Sequence, residues 1–166
     1  MGEKIRLRSI KWKNWKFMEL KNSRIEIVKE IILQAFSYLK AEGYIQDFKM
    51  PSNSTSIEVI DSEYVNVSKR RKITVTYSMG EFKGEIVYVF DLIIVRDPYT
   101  HVTEDYFSLS VYLKSLDIDF DTRMVNNFDY KKATMIVNRI AENLKTYALR
   151  LVKGDKWIEG YYPKWD

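Results

Sequence analysis

The chain has 166 residues, a formal net charge of +4, 46% hydrophobic and 30% charged residues, which fits one globular domain and neither a disordered tail nor a membrane bundle. It contains no cysteine and a single histidine, His101. These counts exclude disulfide scaffolds, thiol nucleophiles, iron–sulfur clusters, thiolate zinc sites and every two-histidine metal motif.

A serine hydrolase would have to use His101 as its base, yet "RDPYTHVTED" reads as a polar surface loop. No apolar run is long enough to span a bilayer. The N-terminus is charged where a secretory signal needs an apolar core, so an intracellular location is expected and the sequons at Asn53 and Asn66 are read as coincidental. Charge is uneven. Residues 1–24 hold eight basic and two acidic side chains, a net of +6, which leaves −2 for the remainder.

In chain order, residues 4–19 alternate and then change phase after Ser9, as a bulged strand or two short strands would. Residues 23–42 are predicted helical. Ser23 and Glu26 have capping-box spacing, and Val28, Ile31, Ile32, Ala35 and Leu39 form an apolar stripe. Gly43 is expected to stop this helix in the left-handed region. A polar loop follows, then a strand at 57–67 whose phase breaks at Asp61–Glu63. Residues 68–72 read as a basic turn. Ile73, Val75, Tyr77 and Met79 alternate with polar residues, and "GEFKG" reads as a hairpin connection. Residues 85–96 are apolar on both faces: Ile86, Tyr88, Phe90, Leu92 and Ile94 on one, Val87, Val89, Ile93 and Val95 on the other. Residues 105–121 read as a long strand or bent pair, with Asp117, Asp119 and Asp121 on one side of it. A second helix is predicted at 129–153, capped by Asp129 and ended by Gly154.

The order β-α-β-β-β-β-α predicts an α+β fold: a mostly antiparallel sheet with two helices packed on one face. Its topology resembles helix-grip folds, in which a sheet curls around a long C-terminal helix and leaves a ligand cavity. Residues 1–154 are expected to form one domain. Residues 155–166 are expected to form an aromatic tail packed on the domain or on a partner.

Three constellations bear on function. Lys11, Trp12, Lys13, Trp15 and Lys16, with Lys69, Arg70, Arg71 and Lys72, combine phosphate-neutralising cations with rings that stack on unpaired bases. Trp157, Tyr161, Tyr162 and Trp165 lie in an electrically balanced tail, which suits a protein partner or a second copy. Tyr88 and Asp91 would line a small-ligand pocket between the sheet and the C-terminal helix, where burial would raise the Asp91 pKa. The Asp117–Asp121 row does not match a calcium loop, because Thr122 and Phe128 stand where glycine and glutamate belong.

No catalytic residue, metal or cofactor is assigned, and glycines are too scattered for a phosphate loop. The leading expectation is a non-catalytic intracellular binding or assembly protein that uses its sheet and aromatic termini for self-association or partner binding. Nucleic-acid binding and a small-ligand cavity are the alternatives.

Overall fold

The alternation of branched and aromatic residues with threonine and serine over residues 73–79 produces the central strand of the fold. A computed structural model describes residues 20–51, 56–97 and 102–163. The expected strand at 4–19, His101 and Trp165 lie outside the described residues. The first described element is a helix, α1, covering residues 20–35. The chain continues through α2 (Tyr38–Ala41), β1 (Ile45–Lys49), β2 (Glu58–Asn66), β3 (Arg71–Phe82) and β4 (Glu85–Val95). Then come a 3₁₀ turn, β5 (Tyr106–Ser108), α3 (Leu109–Ser115), β6 (Arg123–Val125), α4 (Tyr130–Tyr147) and α5 (Leu149–Val152).

The fold is α+β, as the sequence predicts. All six strands pair antiparallel in the order β1-β2-β3-β4-β5. β5 and β6 both pair with β4, β5 along Ile93–Val95 and β6 along Val87–Val89. The β3–β4 hairpin closes through Lys83 and Gly84, both at positive φ (52° and 82°). Both values match the two-residue turn whose twist suits a hairpin.

One sheet face carries the core. Ile60, Tyr64, Ile73, Val75, Tyr77, Phe90 and Ile94 pack there against Val28, Ile32 and Phe36 of α1 and its following turn, and against Val137, Ile140 and Leu144 of α4. Asp129 caps α4 by accepting from the Lys132 N–H at 2.8 Å. Gly154 follows α5 at φ 77°. A Cβ there would come within 2.9 Å of Lys69 Cβ, so only glycine fits.

Several local expectations are corrected. Ser23 lies within α1 and does not cap it. The helix expected to run unbroken to Lys153 breaks at Ala148. Ile45–Lys49 form an unpredicted strand, β1. The expected long strand at 105–121 is only three residues of β5 followed by α3, which Ser108 caps by accepting from the Val111 N–H. Asp117 sits at φ 56° beyond that helix, and residues 117–122 form no strand, so its carboxylates do not form a row.

Candidate functional site

β1 is the terminal strand of the sheet. Its inner side pairs with β2 from Ile45↔Val65 to Lys49↔Asp61. Its outer side pairs with no strand among the described residues. Alternate residues of an antiparallel edge strand direct their backbone groups outward. Phe48 fits this phase: its N–H donates to its neighbour Asp47 Oδ1 at 2.9 Å. Gln46 and Met50 share that phase. Ile45, Asp47 and Lys49 occupy the sheet face opposite the helices, and Ile45 is 77% exposed. Lys49 Nζ pairs with Asp47 Oδ2, and this hydrogen bond lowers the Asp47 pKa.

A pocket of about 450 Å³ opens beside this strand, lined chiefly by Leu33, Phe36, Tyr44, Ile45, Gln46 and Tyr64. Burial raises the pKa of both tyrosine hydroxyls, so they stay neutral. Tyr44 donates to the Val152 carbonyl at 2.6 Å, and exposed Lys40 brings the only formal charge to the lining. The pocket is therefore an apolar recess of ligand-pocket size directly beside an open strand edge. An apolar side chain entering alongside a paired backbone is the chemistry it accommodates.

The basic turn at 68–72 is occupied by contacts within the chain. Lys69 reaches the Glu42 carbonyl and carboxylate at 2.8 and 3.2 Å. Arg70 pairs with Asp97, and Lys72 with Glu63. Arg71 is only 6% exposed and donates to the carbonyls of Leu151, Lys69, Arg70, Arg96 and Asp155. Desolvation lowers its pKa. Arg71 acts as a tie between the β2–β3 turn, the end of β4 and the C-terminal segment. Lys11, Trp12, Lys13, Trp15 and Lys16 lie outside the described residues.

Trp157 and Tyr161 of the tail turn onto the chain's own core. Trp157 has guanidinium carbons of Arg71 and Arg96 at 5.1 and 5.3 Å from its ring, and its indole N–H donates to the Glu104 carbonyl. Tyr161 stacks edge-on with Tyr112 at 4.8 Å, and its carbonyl accepts from the Ser108 N–H at 2.7 Å. Tyr162 is half-buried beside it.

Tyr88 and Asp91 fall on opposite faces of β4, as their odd separation requires. Tyr88 joins a cluster that sequence reading missed. Arg24 of α1 lies over Tyr88 and Phe128 at 5.6 and 6.0 Å and grips buried Glu58 through Nε and Nη2 at 3.1 and 2.8 Å. The Tyr77 hydroxyl donates to the same carboxylate at 2.9 Å. Asp91 sits where β4 has neither β5 nor β6 beside it. Its carboxylate accepts from the Leu92 N–H at 2.8 Å, and burial raises its pKa. The cavity there is about 10 Å³, room for no more than one water. Among the described residues, no group of three or more His, Asp or Glu side chains is placed to hold a metal ion, and no helix is long and apolar enough to cross a membrane.

No protein-family model, no curated protein and no solved structure matches this chain. Its functional reading rests on its own geometry. Among the described residues that geometry sets the open edge of β1 beside an apolar recess, while the basic turn and the Arg24–Glu58 cluster find partners within the chain.

Proposed function

We propose that the protein is a non-catalytic binding and assembly protein that associates through the β1 side of its sheet. The observation that carries this reading is the juxtaposition of an apolar pocket with an edge strand whose outer side pairs with no strand among the described residues. Exposed edges invite strand addition, and strand addition gains specificity when alternate side chains find pockets. The basic turn and the rings of Trp157 and Tyr161, engaged within the chain, contribute less to such a surface than the sequence implies.

Sedimentation velocity of the full chain over a wide concentration range tests this. Association that disappears in Ile45→Lys and in Leu33→Glu, with far-UV circular dichroism unchanged, supports the reading. A chain that stays monomeric and instead binds single-stranded oligonucleotides with salt-dependent affinity would replace it with the nucleic-acid alternative.

A further inference from the structure

We infer that the partner at this edge is a second copy of the chain, joined by antiparallel β1–β1 pairing about a two-fold axis centred on Phe48. The inference rests on the assembly reading and adds the occupant and the register.

Outward backbone groups restrict the choice. By alternation along β1, Gln46 and Phe48 direct their N–H and C=O groups away from β2, and Met50, one residue past the strand, continues that phase, so these residues must oppose one another across a two-fold pairing. Centring on Asp47 would also satisfy the backbone, but it places Asp47 opposite the partner's Asp47. Centring on Lys49 sets lysine against lysine. Centring on Gln46 leaves both charges without an opposite charge across the axis. Centring on Phe48 places Asp47 opposite the partner's Lys49, and Lys49 opposite the partner's Asp47. Opposite charges directly across a ladder stabilise it and like charges oppose it, so the sequence Asp47-Phe48-Lys49 selects this register.

Two further observations agree with it. Asp47 already lies across from Glu63 on β2, so the acidic side of this edge gains from an incoming ammonium. The same register sets the partner's Met50 opposite Gln46, at the mouth of the apolar pocket. Met50 is 60% exposed, an apolar side chain that this register brings to the apolar recess. The intrachain Asp47–Lys49 contact then becomes a ring of four alternating charges across the axis. As that ring forms, the Asp47 carboxylate releases the Phe48 N–H, which pairs with the partner's Phe48 carbonyl.

Charge exchange separates this inference from the broader reading. The full chain should sediment as a dimer. Asp47→Lys and Lys49→Asp should each weaken the dimer about ten-fold or more, because each sets like charges opposite at two symmetric places. The double variant carrying both substitutions restores alternation and should return to within about three-fold of the parent. Mixing the two single variants should yield a heterodimer by native mass spectrometry. Circular dichroism of the double variant and of the mixture guards against misfolding of either single variant. A dimer that Ile45→Lys abolishes but the single charge variants leave unchanged would overturn the register while leaving the assembly reading intact. A full chain that remains monomeric at every concentration would overturn both.

Discussion

Arg71 donates through Nε to the carbonyl oxygen of Leu151, 80 residues away, at 3.2 Å. Among the described residues the guanidinium has no carboxylate partner at hydrogen-bonding distance. It is held by carbonyl dipoles, including the Leu151 carbonyl near the negative end of α5. Lysine has three donors on a single point and cannot reproduce the planar spread of contacts. Arg71→Lys should therefore cost about 3 kcal/mol in urea unfolding. An unchanged midpoint would show that the carbonyl contacts carry no net stability.

Arg24 and Glu58 form a different kind of tie, a carboxylate sealed inside the core by a guanidinium. The hydrogen bond to Glu58 raises the Arg24 pKa further above its ordinary value. Arg24→Ala should cost about 3 kcal/mol, because it strands a buried charge. Arg24→Met combined with Glu58→Leu should recover most of that loss, since apolar replacement of a buried pair is often close to neutral. If the double variant is as unstable as the single one, the pair contributes more than mutual neutralisation.

The hairpin at Lys83–Gly84 offers a gain. Both positions have positive φ, which asparagine tolerates better than lysine at the first. Lys83→Asn should raise stability by about 0.5 kcal/mol, and Gly84→Ala should lower it by about 1 kcal/mol. Thermal unfolding of the two variants beside the parent provides the check.

Asp91 predicts a pH dependence. Burial is the leading cause of its raised pKa, so the native state binds its proton more tightly than the unfolded chain. Its contribution favours folding in acid and declines as pH rises from the ordinary carboxylate value through the folded one. Asp91→Asn retains an acceptor for the Leu92 N–H without the charge. Its melting temperature should exceed that of the parent at pH 7, and the difference should shrink toward pH 3. A constant difference across that range would dissociate the effect from ionisation.

The sequence was most legible where local pattern and burial agree. Ile73, Val75, Tyr77 and Met79 alternate and all face the core. Asp129 and the apolar stripe of α4 likewise define that helix. β2 looked irregular because Glu58, Ser62 and Asn66 are buried alongside Ile60 and Tyr64, and a polar inward residue is invisible to hydropathy. β1 inverts the rule outright: Ile45 points to solvent while Gln46 bonds Ser62. In α3, Leu109, Val111 and Leu113 satisfy a period of two, while Leu109, Tyr112 and Leu113 satisfy helical spacing. Seven residues are too few for periodicity to decide. The candidate site was illegible for a separate reason. Asp47 and Lys49 acquire their significance from being last in the sheet, and strand order is a property of distant pairings.

The far side of the sheet decides what such an edge can build. There, the Tyr161 carbonyl occupies the Ser108 N–H of β5, and β6 spans only three residues, too short to template another chain well. In the language of polymerisation, the proposed pairing makes the molecule a monofunctional unit. Among the described residues one terminus is open, and the tail acts as a stopper on the other. Under that proposal two such units couple, and their described strands leave no live end from which a fibre would propagate.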